Sequence, residues 1–162
     1  MDAFEFALSM ELDGKAYYEN LAGETSQPGL KKVFLGLAAD EQKHYDTILA
    51  IRGLGSVGMA DSAVLEDARG IFRELVEEKR NSPAPSTELL AYRHAMTIEA
   101  RSVKFYEEAA RLETEPAVSG LFQRIAEEEK KHFTVMDNIY SYMLAPHTFL
   151  AWGEFSNLTE YY

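Results

Sequence analysis

Apolar residues recur at intervals of three and four along four long segments of the chain, and glycine and proline cluster between these segments. That spacing places apolar side chains on one face of an α-helix, so the pattern predicts amphipathic helices. The predicted helices lie near residues 2–24, 28–52, 86–113 and 116–144. Short turns that end at Pro28 and Pro116 join the first helix to the second and the third to the fourth. Each pair is therefore expected to form an antiparallel hairpin.

Two such hairpins predict an all-α fold, a four-helix bundle that spans residues 2–144. The crossover between the second and third helices, residues 53–85, is long enough to run from one end of the bundle to the other, and residues 62–79 within it have the pattern of a shorter helix. The aromatic-rich tail, residues 145–162, is expected to form a short C-terminal helix on the bundle or on a partner subunit. A chain of 162 residues is expected to form a single domain, residues 1–162.

The two hairpins resemble each other in sequence. A shift of 88 positions aligns ten identical residues without a gap. The aligned pairs are Glu11 with Glu99, Tyr18 with Tyr106, Glu19 with Glu107, Ala22 with Ala110, Pro28 with Pro116, Phe34 with Phe122, Ala38 with Ala126, Glu41 with Glu129, Lys43 with Lys131 and His44 with His132. An internal repeat predicts pseudo-two-fold symmetry, so equivalent residues are expected to face each other across one axis.

Each predicted helix carries a glutamate in the middle of its apolar stripe, and two of the helices add a histidine three residues later. These residues are Glu11, Glu41, His44, Glu99, Glu129 and His132. Burying an unpaired carboxylate is costly, and four that face one another also repel. Lys15 is the nearest basic residue to the stripes, so salt bridges within the protein cannot neutralise four acids.

Two divalent cations would neutralise four carboxylates, and two neutral imidazoles would complete their coordination. Residues three apart project from one side of a helix, so each Glu-x-x-His motif can reach a single metal. Two lone glutamates and two Glu-x-x-His motifs on four helices are the ligand pattern of carboxylate-bridged dimetal bundles. The six residues are therefore the predicted metal ligands, and such ligands suit iron, manganese and zinc alike.

Tyr18 and Tyr106 lie two turns after Glu11 and Glu99. Their hydroxyls either hydrogen-bond to the ligands or belong to an ordinary aromatic core.

Four segments of the chain are similar to rubrerythrin and its relatives in the ferritin-like superfamily. These segments are Met10-Glu11 with Ala16 to Glu19, Asp40 to His44, Ile98-Glu99 with Phe105 to Glu107, and Glu128 to Phe133. The resemblance covers the bundle and implies a ferritin-like fold with a non-haem centre of two iron ions. It also implies reaction with peroxide or dioxygen, with either Glu41 and Glu129 or Glu11 and Glu99 bridging or capping the metals.

The chain departs from rubrerythrin in two respects. It contains no cysteine, so it lacks the cysteine-bound rubredoxin domain that supplies electrons in that family. It also has Ser102 where the family usually has a second carboxylate tied to its peroxide chemistry, three residues after Glu99.

The leading functional hypothesis is an oxidoreductase of the rubrerythrin or ferritin type, with a role in oxidative stress. It would reduce peroxide or dioxygen with electrons from a separate donor, or oxidise ferrous iron as a ferroxidase. Oxygenation of an organic substrate is a second hypothesis on the same scaffold. The alternative class is a metal-binding, iron-storage or interaction bundle without turnover.

The composition narrows the expected partners and location. Acidic residues exceed basic ones, 27 to 16, for a formal net charge of -11, so neither nucleic acid nor a membrane surface is an expected partner. The N-terminus does not resemble a secretory signal and no apolar run is long enough to span a membrane, so a cytoplasmic location is expected. The aromatic tail favours a homo-oligomer, with a dimer the simplest form. His94 and His147 are expected to be surface or packing residues, and the run Glu127-Glu128 is expected to be solvated.

Overall fold

Four α-helices make up most of the computed structural model, which describes residues 2–54 and 88–144. They are α1 (Ala3–Glu24), α2 (Pro28–Ile51), α3 (Glu88–Leu112) and α4 (Pro116–Leu144), and a 3-10 helix (Arg52–Leu54) follows α2. These bounds agree with the predicted ones to within one or two residues. No strand occurs in the residues described, and the predicted all-α four-helix bundle is confirmed. The predicted helix at 62–79, nearly all of the crossover and the tail at 145–162 lie outside the described residues.

Local sequence signals account for the starts of the helices. Asp2 caps α1, since its Oδ1 accepts a hydrogen bond from the Glu5 backbone N–H at 2.8 Å. The Glu5 carboxylate in turn accepts from the Asp2 backbone N–H, which completes a capping box. Pro28 and Pro116 are the first residues of α2 and α4, where the missing N–H of proline costs nothing.

The helices pack mainly in pairs, α1 with α2 and α3 with α4, so the predicted hairpins are present. Two apolar clusters fill the interior. One contains Phe4, Phe6, Ile48, Phe105, Phe122 and Ile125, and the other contains Leu21, Leu30, Phe34, Leu37, Tyr92 and Ile139. Along every helix the buried polar residues lie between the positions that contribute to the two clusters. The fold therefore holds a polar layer between two apolar layers. In the described part of the chain, no helix is both long and apolar enough to cross a membrane.

Candidate metal centre

The polar layer brings together the six residues predicted to bind metal. All six are at most 3% exposed. They form two groups, and within each group one ligand atom per residue lies within 4.8 Å of all the others. The first group is Glu11, Glu41, His44 and Glu129, and the second is Glu41, Glu99, Glu129 and His132. Glu41 and Glu129 belong to both groups, so the two groups share an edge made of two carboxylates.

The two histidines occupy equivalent places in this cluster. His44 Nδ1 lies 3.0 Å from Glu129 Oε1 and 3.4 Å from Glu11 Oε2. His132 Nδ1 lies 3.1 Å from Glu41 Oε1 and 3.4 Å from Glu99 Oε1. Their rings are nearly parallel, with centroids 5.8 Å apart. Each contact of His44 matches one of His132 at the repeat offset of 88, so the cluster has the pseudo-two-fold symmetry that the repeat predicts.

Two buried tyrosines hydrogen-bond to the glutamates across the hairpins. Tyr18 Oη donates to Glu99 Oε1 and Tyr106 Oη donates to Glu11 Oε1, both at 2.5 Å. Burial and the neighbouring carboxylates raise the pKa of both phenols well above the usual value, which keeps them protonated as donors. Each hydroxyl therefore fixes the orientation of a carboxylate that belongs to the other hairpin.

Two acidic residues that the sequence analysis did not assign to the site complete the surroundings of the histidines. Glu128 Oε2 lies 2.8 Å from His44 Nε2, and Asp40 Oδ2 lies 3.1 Å from His132 Nε2. Glu128 is half-exposed, as a solvated residue would be, but its carboxylate also binds a buried imidazole. Asp40 and Glu128 are related by the same offset of 88, and both precede the glutamate of a Glu-x-x-His motif. That acidic match at repeat-equivalent positions was the signal that could have identified them.

The two outer carboxylates determine which nitrogen of each imidazole faces the cluster. Since a carboxylate accepts, Nε2–H of His44 donates to Glu128 and Nε2–H of His132 donates to Asp40. The Nδ1 atoms are left facing the glutamates. This arrangement, in which a carboxylate orients an imidazole from behind, is the usual support of a metal-binding histidine.

In the metal-free chain, the buried acids differ in their affinity for protons. Burial raises the pKa of Glu41 and of Glu129 well above the usual value, and the charges of neighbouring glutamates add to this effect. For Glu99, burial acts in the same direction but is outweighed by the charge of His132 and by hydrogen bonds, including that from Tyr18, so its pKa is lowered. The two carboxylates common to both groups therefore bury a negative charge less favourably than Glu99 does.

The histidines take up positive charge in the same environment. Burial lowers their pKa, but the carboxylates around them more than offset this effect. Close contacts with the carboxylates of Glu11, Glu128 and Glu129 raise the pKa of His44. The charge of Glu99, together with hydrogen bonds to Asp40 and Glu41, raises that of His132. These shifts favour protons on the imidazoles and on the shared glutamates when no cation is present.

Four buried atoms of the cluster make no hydrogen bond within the described residues. They are Glu11 Oε2, His44 Nδ1, Glu99 Oε2 and Glu129 Oε1. Lys15 does not neutralise them, because its Nζ donates to Gln42 Oε1 at 2.8 Å. Buried polar atoms are nearly always satisfied, so orphaned ones call for an explanation such as an ion. Carboxylate oxygens with imidazole nitrogens are a donor set that divalent first-row metals accept, and the residues present therefore fit a dimetal centre.

A glycine on α1 gives one shared carboxylate its space. A Cβ atom at Gly14 would lie 3.1 Å from Glu41 Oε2 and 3.3 Å from Glu41 Cδ. The equivalent position in the other hairpin is Ser102, which is buried. Gly14 therefore allows the backbone of α1 to approach the cluster closely.

His94 takes no part in the site, because it is half-buried against the Tyr17 ring, with centroids 5.7 Å apart. His147 lies outside the described residues.

A protein-family model described as Rubrerythrin matches residues 2–140 of the chain. No curated protein and no solved structure matches the chain. The matched range contains the first three helices, all but the last four residues of α4, and all six residues of the two groups.

Proposed function

Because the chain belongs to the rubrerythrin family, we propose that its buried cluster binds two iron ions and that the protein is a non-haem di-iron oxidoreductase. One observation carries this proposal. Two groups of three carboxylates and one imidazole lie fully buried side by side, and four of their ligand atoms have no hydrogen bond in the described residues. A pair of divalent cations compensates four buried carboxylates, which the basic residues around the site do not.

The roles of the glutamates follow from membership of the two groups. Glu41 and Glu129 are common to both groups and would bridge the two ions. Glu11 and Glu99 each belong to one group and would be terminal ligands, each paired with the histidine of its own hairpin. Of the two arrangements that the resemblance leaves open, the geometry thus favours Glu41 and Glu129 as the bridging pair.

When bound, two ferrous ions can supply two electrons to peroxide or dioxygen, and this chemistry belongs to the metals. The residues of the chain hold and orient them. Tyr18 and Tyr106 fix the terminal glutamates, and Asp40 and Glu128 fix the imidazoles. The apolar clusters on both sides keep bulk water away, which strengthens the electrostatic interactions inside the site.

These 162 residues contain no cysteine that could hold a rubredoxin-type iron. We propose either a separate electron donor, with peroxide or dioxygen as the substrate, or ferrous iron itself, which makes the protein a ferroxidase. Ser102 favours the second reaction, or iron binding and storage without turnover, because the resemblance links peroxide reduction to a carboxylate at that position.

Metal analysis of the purified protein tests the proposal. We expect about two iron ions per chain, or manganese or zinc where these are more available, since occupancy of such sites follows availability. Air oxidation of the iron form should give the absorption of an oxo-bridged centre. A chain that stays metal-free and resists reconstitution with ferrous iron would refute it.

Mixing the reduced protein with peroxide, dioxygen or excess ferrous iron separates the reactions. Rapid reoxidation by peroxide indicates a peroxidase, and dioxygen uptake that depends on added ferrous iron indicates a ferroxidase. Stable retention of ferrous iron in the presence of both oxidants indicates storage. E129Q, which removes one shared carboxylate, is the matched control and should react with neither oxidant.

A further inference from the structure

A cleft of about 810 Å³ lies between the second half of α2 and the first half of α4, outside the metal cluster. Its walls include Thr47 of α2 and Gln123, Arg124 and Lys131 of α4, and His44 and Glu128 also line it. The cleft therefore reaches one of the two histidines of the candidate centre from the outside.

A single imidazole separates this cleft from the buried carboxylates. On one edge of the ring, His44 Nε2 binds Glu128, whose side chain is 47% exposed. On the other edge, His44 Nδ1 faces Glu129 Oε1 and Glu11 Oε2 at 3.0 and 3.4 Å. Glu128, His44 and Glu129 thus provide a continuous series of oxygen and nitrogen atoms that can bind a cation, from the cleft to the cluster.

Most of the orphaned atoms lie at or near the His44 ring, and one of them, Glu129 Oε1, is also 3.6 Å from His132 Nδ1. Three of the four, Glu11 Oε2, His44 Nδ1 and Glu129 Oε1, lie around the His44 ring. The equivalent carboxylate on the other side, Asp40, is shorter and only 24% exposed, and it does not line this cleft. Among the described residues, the carboxylate behind His44 thus lies on this cleft, and the carboxylate behind His132 does not.

We propose that divalent cations reach the centre through this cleft and that Glu128 is the carboxylate that first binds them. This inference rests on the proposed metal centre. A hydrated cation loses its water in steps as protein oxygens replace it, and an exposed carboxylate one residue away from the buried ligands provides such a step. The position next to His44 is then filled through Glu128, and the position next to His132 is filled from within the cluster.

The cleft is lined by both positive and negative side chains, so substitutions of the two kinds should change the rate of metal loading in opposite directions. Arg124 and Lys131 repel an arriving cation, whereas Glu128 attracts it. Glu127, also on the wall, is already paired with Lys130 at 2.8 Å. Removing the charge of Glu128 should therefore slow loading, and removing that of Lys131 should accelerate it.

The test measures how fast the full-length metal-free protein takes up Co²⁺, followed by stopped-flow absorption, and the final cobalt content. E128Q keeps an oxygen acceptor for His44 Nε2–H but loses the charge, and D40N makes the equivalent change beside His132. We expect E128Q to load about tenfold more slowly than the wild type, D40N to load within about twofold of it, and K131Q to load faster. K131Q should reach the wild-type cobalt content, whereas E128Q and D40N should lose equilibrium affinity to a similar extent, because each weakens the support of one histidine.

Equal slowing of E128Q and D40N would overturn the proposal, because both residues would then act only by orienting their histidines. An unchanged rate for E128Q would overturn it as well. High salt should reduce the difference between E128Q and wild type if the exposed charge attracts the cation, and a salt-independent difference would count against it. Failure of the wild type to bind Co²⁺ at all is a distinct result, because it would refute the metal centre itself.

Discussion

Replacement of Gly14 by alanine tests whether the close approach of α1 to Glu41 shapes the metal centre. Alanine stabilises a helix interior by about 1 kcal/mol relative to glycine. The new methyl group would lie 3.1 Å from Glu41 Oε2 and 3.3 Å from Glu41 Cδ, so the carboxylate must move by a few tenths of an ångström. Overpacking of this kind costs about 1 to 3 kcal/mol, and so small a shift corresponds to the lower end. The two effects should nearly cancel, leaving the metal-free variant within about 1 kcal/mol of the wild type.

Metal affinity should respond more strongly than stability. Glu41 belongs to both ligand groups, so its displacement disturbs both metal positions. We expect G14A to bind Fe²⁺ or Co²⁺ about tenfold to a hundredfold more weakly, which is the usual effect of disturbing the support of a ligand. Urea unfolding of the metal-free protein and competition with a chelator measure the two quantities.

Gly120 provides the matched control, because it also lies within a helix and a Cβ atom there meets nothing within 4 Å. G120A should gain about 1 kcal/mol of stability and keep wild-type metal affinity at equilibrium. If G14A gained as much stability as G120A and bound metal as tightly as the wild type, the Gly14 contact would have no bearing on the site. A large loss of metal-free stability in G14A would show instead that Glu41 cannot move.

Three further predictions follow from the pKa shifts and the hydrogen bonds. E129Q should abolish most metal binding but stabilise the metal-free protein at neutral pH. Burial raises the pKa of Glu129, so the folded chain holds a proton that the unfolded chain releases, and this difference favours unfolding in the wild type. E99Q should destabilise it, since the pKa of Glu99 is lowered; urea unfolding compares the two, and shifts of the same sign would contradict the assignment. Y18F and Y106F should each lower metal-free stability by about 1 to 3 kcal/mol, because a buried carboxylate oxygen loses its donor, and the two losses should be similar if the symmetry holds. Burial raises the pKa of Tyr92 to about 12, so stability should decline as the pH rises from 10 to 12, where only the unfolded chain loses this proton; unfolding midpoints against pH measure this, and a constant midpoint would refute it.

The sequence predicted the helices and the buried polar residues because both depend on local pattern. Pro28 and Pro116 mark where helices begin, and the interval of three and four separates the buried face from the exposed one. A glutamate in the middle of an apolar stripe is out of place by the same pattern. That reasoning needs no knowledge of how the helices are arranged in space.

The roles of Asp40 and Glu128 could not be predicted in this way, because a charged residue beside an apolar stripe is equally compatible with solvent. Each acts through a histidine on the opposite hairpin, so its role depends on how the hairpins pack. The same holds for the choice of Glu41 and Glu129 as the shared carboxylates, which follows from distances between helices. The close approach at Gly14 also became visible only with both helices in place.

The cross-hairpin hydrogen bonds of the polar layer have a consequence for the order of folding. They join residues between 81 and 95 positions apart, whereas the contacts within a hairpin join residues close in sequence. Contacts between distant residues are slow to form, because the long intervening loop must first close. Each hairpin can therefore assemble before the other meets it, and on its own it carries at most three members of either ligand group. A cation that is present from the start of folding finds a complete set of ligands only when the two halves of the chain close around it.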